Sequence, residues 1–156
     1  MEYKNGYCSQ AGQDYYVDMC LNNKKNGYFI EIGSGGFMCD NNTYYFENSL
    51  NWKGLMVEMD KNYLEKYKMN RKNSNYIIED ATKINYLDEI IKLNFPINID
   101  YLQIDLHVED GSTMQVLEYF NKYIFDKYKF ATVTFEHDFC IGKDNNIYAR
   151  KKSREI

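Results

Sequence analysis

Hydrophobic and polar positions follow two alternating patterns along most of the chain. Short apolar runs of strand length cover residues 28–32, 55–58, 76–78, 101–105 and 130–135. Between them, the pattern predicts helices over residues 42–50, 61–71, 86–93 and 112–123. In the last of these, Met114, Leu117 and Phe120 recur at the spacing that places them on one face of a helix. Strands that alternate with helices predict βαβ units, an α/β fold and a mostly parallel sheet.

Length and composition fit one domain over residues 1–156. The chain is 44% hydrophobic and 27% charged, and its net charge of −4 gives no positive field to attract nucleic acid. The polar N-terminus is not typical of a signal peptide, and no apolar run approaches the length of a membrane span. The four cysteines include no CxxC pair, so a structural zinc site is not expected. We therefore expect a cytoplasmic protein with free thiols.

The residues that follow each predicted strand are the candidates for a ligand site. An open parallel sheet binds its ligands at the carboxyl ends of the strands, near the switch in strand order. The segments at these ends are residues 31–37, 58–61, 79–81, 105–111 and 136–138. Most of them carry a carboxylate at or beside the end of the strand, which suggests a site rich in acids.

A glycine-rich turn, Gly33-Ser34-Gly35-Gly36, follows the first predicted strand. Glycines here let the backbone turn tightly and approach a ligand. A dinucleotide-binding GxGxxG fingerprint needs a third glycine at position 38, which is Met38. Glu31, two residues before Gly33, is suited to bind an ammonium group, whereas a pyrophosphate prefers cations or N–H donors. The turn therefore favours S-adenosylmethionine (SAM), which carries a sulfonium and an ammonium, over NAD.

Two more carboxylates fit this interpretation. Glu58 ends the second predicted strand, where an acid binds the two hydroxyls of a ribose. Asp80 follows the third strand and is placed to accept a hydrogen bond from an adenine amino group. Each acid alone is equally compatible with a solvated loop, and it is their register with the glycine turn that favours a cofactor role.

Several motifs, in order along nearly the whole chain, resemble those of the FkbM family of SAM-dependent methyltransferases. The motifs are Ser9-Gln10-Ala11-Gly12-Gln13-Asp14, Gly27-Tyr28-Phe29-Ile30-Glu31-Ile32-Gly33, Asn42-Thr43 with Glu47, Trp52-Lys53-Gly54-Leu55-Met56-Val57-Glu58, Ile99-Asp100-Tyr101-Leu102-Gln103-Ile104-Asp105, and Phe135-Glu136-His137-Asp138. The resemblance implies a Rossmann-like three-layer sandwich that moves a methyl group from SAM to a hydroxyl, commonly on a sugar or glycan. The chain looks closest to family members from large DNA viruses, which implies a location in the host cytoplasm.

The turn, the strand ends and the family motifs together predict the cofactor contacts. These are Gln13, Glu31, Gly33, Ser34, Gly35, Asn42, Glu58, Met59, Asp80, Ala81 and Asp105. The N-terminal segment, about residues 1–24, is expected to close over the cofactor through Gln10 and Gln13. An equally good interpretation of this segment is the start of a helix with Ser9 as its N-cap residue.

The chain departs from the family pattern in two places. Aligning Asn42-Thr43 puts Phe37 where the family usually has glycine and Gly36 where it often has aspartate, so we expect a reshaped cofactor loop. The family normally continues past a segment like residues 150–156 into a helix and a final antiparallel hairpin, which we expect to be absent. The strand over residues 130–135 would then be an exposed edge, and such an edge favours pairing in a homodimer.

The predicted catalytic residues are His137, Asp105 and Glu136. An ordinary histidine pKa near ~6.5 lets His137 accept the proton of an acceptor hydroxyl, and its neighbours Glu136 and Asp138 would orient the ring. Asp105, with Glu109 and Asp110, is a second candidate base, or a source of oxygen ligands for a hard cation such as Mg²⁺. No metal ligand is assigned, and His107 is expected to be a surface loop residue.

Three functions remain open on the sequence. The first is a SAM-dependent O-methyltransferase with a small-molecule or glycan acceptor. The second is a SAM-binding or structural protein without turnover, which Phe37 and the short C-terminal region favour. The third is an NAD-linked oxidoreductase, which Met38 and Glu31 disfavour. Neither nucleic acid nor a membrane is expected as a partner.

Overall fold

The sheet of this protein contains five strands that all run parallel. They are β1 (Tyr28–Ile32), β2 (Lys53–Glu58), β3 (Ser74–Ile78), β4 (Asn98–Ile104) and β5 (Lys129–Phe135). Their order in the sheet is β3-β2-β1-β4-β5. The computed structural model describes residues 6–156, and the first five residues lie outside the described part of the chain.

Six α-helices are found within residues 6–156. They are α1 (Gln13–Leu21), α2 (Tyr44–Leu50), α3 (Leu64–Asn70), α4 (Tyr86–Lys92), α5 (Ser112–Tyr123) and α6 (Asp144–Lys152). The bounds of β1 and α5 agree with those predicted, and the other predicted elements are present with ends that differ by a few residues. Helix α6 was not predicted.

Helix α1 begins without the expected cap. Its N-cap residue is Gly12 in a left-handed conformation, so the expectation that Ser9 caps the helix is wrong. Ser9 instead donates a hydrogen bond from its hydroxyl to the carboxylate of Asp14. The same carboxylate accepts hydrogen bonds from the backbone N–H groups of Cys8 and Ser9. Asp14 thereby fixes Cys8 and Ser9 to the first turn of α1.

Helices cover both faces of the sheet because successive strand residues point to opposite sides. Ile30, Leu102 and Ile104 pack on one face against buried residues of α4 and α5 such as Ile90 and Phe120. On the other face, Phe29, Met56 and Tyr101 pack against Val17 of α1, Phe46 of α2 and Tyr67 of α3. The predicted α/β class is confirmed: the protein has a Rossmann-like three-layer fold.

The strand order reverses between β1 and β4. From β1 the chain builds outward through β2 and β3, then crosses back to place β4 on the other side of β1 and β5 beyond it. The connections therefore leave β1 and β4 toward opposite faces, which opens a crevice at their carboxyl ends. Strand β5 lies at the edge of the sheet and, among the strands of residues 6–156, pairs with β4 alone.

None of the helices within residues 6–156 is both long enough and apolar enough to cross a membrane.

Candidate functional site

A cavity of about 670 Å³ opens at the carboxyl edge of the sheet, over the crevice between β1 and β4. All five strand ends contribute to its wall, together with one residue of the N-terminal segment, as the sequence predicts. The lining residues are Gln10, Gly33, Gly35, Val57, Glu58, Met59, Asp80, Ala81, Thr82, Asp105, Leu106, His107, Asp110, Ser112, Gln115, Glu136 and Asp138.

Acidic side chains dominate the charge of the cavity wall. Six carboxylate residues line it, and no Lys or Arg among the described residues does so. His107 is the one basic side chain among the described lining residues. A pocket walled by carboxylates attracts cations and repels phosphate groups. The ligand that suits this site therefore carries positive charge and few or no phosphates.

Gly33 brings the backbone of the turn against the end of β4. It has a φ of 82°, and a Cβ atom at this position would lie 1.8 Å from the carbonyl oxygen of Asp105. The backbone N–H of Asp105 donates a hydrogen bond of 2.9 Å to the carbonyl of Ile32. Only glycine lets the two strand ends meet this closely, so Gly33 sets the floor of the cavity.

Glu58 binds the backbone on both sides of the cavity floor. One carboxylate oxygen accepts hydrogen bonds from the N–H groups of Met59 and Asp60, at 2.8 and 2.9 Å. The other accepts from the N–H of Gly35, at 2.7 Å. Glu58 therefore connects the end of β2 to the glycine turn, while its oxygens remain in the cavity wall.

Glu31 is fully buried and does not line the cavity, although we expected it to bind a ligand ammonium. Its carboxylate accepts hydrogen bonds from Asn41 Nδ2 (3.0 Å), from the backbone N–H of Asn42 (3.0 Å) and from Thr43 Oγ1 (2.8 Å). Burial raises the pKa of Glu31, and the nearby Arg71 guanidinium and these hydrogen bonds oppose the rise. Glu31 holds the loop of residues 34–43 from beneath.

Arg71, which the sequence analysis did not single out, anchors the same loop. It is almost fully buried and pairs with Glu47 at 2.7 Å. Its guanidinium also donates to Thr43 Oγ1 (2.7 Å), Asn41 Oδ1 (2.9 Å) and the carbonyl of Phe37 (3.4 Å). The loop of residues 34–43 is thus fixed by one cation behind it, and Phe37 packs on the core below α2 rather than toward the cavity.

The remaining carboxylates cluster at the ends of β4 and β5. Burial, reinforced by the charges of Glu136 and Asp138, raises the pKa of Asp105 to about 7. Burial and the hydrogen bond with Asp138 also raise the pKa of Glu136. Asp105 therefore exchanges its proton near neutral pH, which is the property that a general base requires.

Asp80 and Ala81, two of the predicted cofactor contacts, line the cavity at the end of β3. The Asp80 carboxylate accepts hydrogen bonds from the N–H and the hydroxyl of Thr82, at 3.0 and 2.7 Å. These bonds and the nearby Lys83 lower the pKa of Asp80, so it stays ionised. Thr82 also lines the cavity, and no sequence pattern singles it out.

Besides Glu31, four predicted site residues lie outside the cavity wall. Gln13 accepts a hydrogen bond from the N–H of Ala11, and it is Gln10 that lines the cavity. Ser34 is buried and donates its hydroxyl to the carbonyl of Glu31. Asn42 is buried under the loop, where its N–H binds Glu31.

His137, the fourth, is separated from the cavity although both of its neighbours line it. Its Nδ1 accepts a hydrogen bond of 3.1 Å from the N–H of Phe139. Burial and the charges of Arg150 and Arg154 lower its pKa. The histidine in the cavity wall is His107, which we expected to be only a surface loop residue; it is exposed and lines the cavity as well.

Within residues 6–156, no three His, Cys, Asp or Glu side chains are arranged to hold a metal ion. No known family model and no characterised protein matches the chain. The resemblance to the FkbM family therefore stays a prediction.

Proposed function

We propose that this protein binds SAM at the carboxyl edge of its sheet and transfers the methyl group to a hydroxyl, on a sugar or glycan acceptor. The observation that carries the proposal is the set of six carboxylate residues in the wall of the cavity at the β1–β4 crevice, with no Lys or Arg among the described lining residues. SAM bears a sulfonium and an ammonium and has no phosphate, so it suits this field. The sequence motifs that resemble the FkbM family support the same donor and the same reaction.

The residues of the cavity fit the parts of this ligand. The turn at Gly33 and Gly35 leaves room for close approach of the donor to the backbone. Glu58 would bind a ribose hydroxyl through Oε2, since this oxygen accepts only the Gly35 N–H and has a second lone pair free, whereas Oε1 already accepts two hydrogen bonds. Asp80 and Ala81 would border the adenine. Bound SAM supplies an electrophilic methyl carbon on sulfur.

Asp105 is the base that the geometry favours, in place of His137. It lines the cavity and has a pKa of about 7. As the acceptor oxygen forms its bond to the methyl carbon and the carbon–sulfur bond breaks, Asp105 would take the hydroxyl proton. Glu136 and Asp138 keep this proton affinity high through their charge. Much of the rate would come from holding the hydroxyl in line.

The NAD alternative is disfavoured by the same wall. A dinucleotide would bring a pyrophosphate beside Glu58 and Asp105, where the described residues offer no Lys or Arg to receive it. The glycine turn lacks the third glycine of the fingerprint as well, at Met38.

Calorimetry with SAM, S-adenosylhomocysteine and NAD tests the ligand. We expect heat with the first two and none with NAD. Glu58→Gln should weaken SAM binding about tenfold or more, because it removes a charged acceptor from the ribose. Glu118→Gln, an exposed acid on α5, is the matched control and should bind like the wild type. Absence of heat with both SAM-type ligands would refute the proposal.

A methyl-transfer assay with a sugar panel separates turnover from binding alone. We expect the wild type to methylate at least one sugar hydroxyl and Asp105→Asn to bind SAM without turnover. Binding of SAM with no transfer to any acceptor would favour the binding-only protein instead.

A further inference from the structure

Three basic side chains, those of His137, Arg150 and Arg154, form a cluster beside the cavity. The guanidinium carbon of Arg150 lies 4.1 Å above the centre of the Phe139 ring. The His137 ring meets the same Phe139 ring edge to face, with 6.3 Å between the centroids and 89° between the planes. Phe139 thus contacts both the imidazole of His137 and the guanidinium of Arg150.

Helix α6 fixes this cluster against the end of β5. The fully buried Asn146 donates a hydrogen bond from Nδ2 to the carbonyl of His137, at 3.4 Å. Asn145 donates to the carbonyl of Glu109 at 2.7 Å, and Lys143 pairs with the Glu109 carboxylate. Ala149, next to Arg150, is buried in the core. Arg150 is therefore held in place by the packing of its own helix.

The positive charge of the cluster is not neutralised by ion pairs. Lys143 and Lys152 of the same segment form salt bridges, but neither Arg150 nor Arg154 forms one within residues 6–156. The charge of Asp138 acts to raise the pKa of His137. The two arginines and burial outweigh it, so that this pKa is lowered. The local field at the imidazole is therefore positive.

The cluster adjoins the site where an acceptor must enter. Glu136 and Asp138, on either side of His137 in the chain, line the cavity. The carboxylates inside the cavity and the cations at its rim would orient an acceptor that carries an anionic group at one end and a neutral hydroxyl at the other. Guanidinium groups bind carboxylate, sulfate and phosphate oxygens in pairs, so the rim suits an oxyanion.

We propose that His137, Arg150 and Arg154 bind an anionic group of the acceptor, and that the acceptor is an acidic sugar. Its carboxylate, sulfate or phosphate ester remains at the rim, because the carboxylate wall repels it. Its neutral hydroxyl enters the cavity toward Asp105. The identification of the anion carrier as an acceptor rests on the proposed function, but the anion site itself needs no SAM.

Proton NMR of the histidine rings tests this site directly, because the chain has only two histidines, His107 and His137. Titration of the wild type with glucuronate, and separately with inorganic phosphate, should shift the ring resonances of His137 and raise its pKa, since a bound anion offsets the arginine charges. Glucose should leave these resonances unchanged. The His107 resonances, from the acidic cavity wall, should move little.

Variants show which cations are responsible. Arg150→Gln with Arg154→Gln should weaken the anion response at His137 about tenfold or more. Lys151→Gln, an exposed cation on the same helix, should titrate like the wild type. No response of His137 to either anion, or an equal loss in Lys151→Gln, would overturn the proposal.

Calorimetry with SAM separates this inference from the proposed function. A normal anion titration with no SAM binding would refute the methyltransferase proposal and leave the rim site in place. Binding of SAM with no anion response at His137 would refute the rim site and leave the proposed binding of SAM in place.

Discussion

At Gly33 the backbone of β1 passes so close to β4 that no side chain fits between them. The carbonyl oxygen of Asp105 occupies the space that a Cβ would take. Gly35, two residues on, also has a positive φ, of 55°, but a Cβ there would meet nothing within 4 Å. Gly35 is thus required only for its left-handed backbone, whereas Gly33 is required for its left-handed backbone and for the close contact with Asp105.

Alanine at each of these positions should separate the two requirements. Gly35→Ala should cost about 1 kcal/mol of unfolding free energy, from the left-handed backbone alone. Gly33→Ala should cost about 3 kcal/mol or more, because a close contact with the Asp105 carbonyl is added to that strain. Urea unfolding measures both costs. Equal losses in the two variants would mean that the contact relaxes freely.

Asp105 should make activity and stability change in opposite directions with pH. Its folded pKa of about 7 lies above the unfolded value near ~3.9, so the folded state binds its proton more tightly. Its contribution to stability is present below the unfolded pKa and is lost as the pH rises through 7. Methyl transfer, which needs the ionised base, should instead rise over the same range.

Asp105→Asn therefore should abolish turnover yet stabilise the fold at pH 8, on the order of 3 kcal/mol. Thermal unfolding at pH 5 and pH 8 measures the effect, which should be about a third as large at the lower pH. Glu118→Gln serves as the control and should follow the wild-type pH dependence. Destabilisation of Asp105→Asn at pH 8 would contradict the raised pKa.

The sequence predicted the position of a site residue where that position follows from the residue's place in the chain. Glu58, Asp80 and Asp105 were located because each lies at the end of a strand. Glu31 was assigned a contact with ligand because the sequence does not show that Asn41, Asn42 and Thr43 fold back over it. Arg71 belongs to no motif, and its partners lie at least 24 residues away in sequence.

At the scale of elements, apolar periodicity determined which helices were found in the sequence. Helix α5 was predicted with its observed bounds because its buried residues recur every three or four positions. Helix α6 was missed because its apolar residues, Ile147, Tyr148 and Ala149, are consecutive. It is held by one buried alanine and by Asn146, a polar contact that no periodicity indicates.

The edge strand β5 leads to a prediction of self-association. Within residues 6–156 its outer edge has no strand beside it, and Val133 is 43% exposed. An uncovered edge favours pairing with another chain, so we propose a homodimer through β5. Light scattering should give about twice the monomer mass of 18.7 kDa at high concentration. Val133→Lys should shift the equilibrium to monomer, whereas a wild-type monomer at every concentration would contradict the proposal.

Across the whole molecule, acidic and basic side chains are separated at the opening of the cavity. The net charge of −4 is modest, yet six acids line the cavity, while Arg150, which forms no salt bridge within residues 6–156, lies over Phe139 beside it. Composition could not predict this separation, because the acids come from four strand ends and Arg150 from a late helix. The strand order brings them together.

The position of β1 between β2 and β4 has a consequence for how the chain folds. Strand β1 pairs with β2 across one short helix, whereas β2, α3, β3 and α4 also separate it in sequence from β4. Pairing across such a separation closes a long loop, so we expect it to form later in folding. The cavity is complete only when the end of β4 lies over Gly33. We therefore expect a ligand of the cavity to slow unfolding without speeding folding.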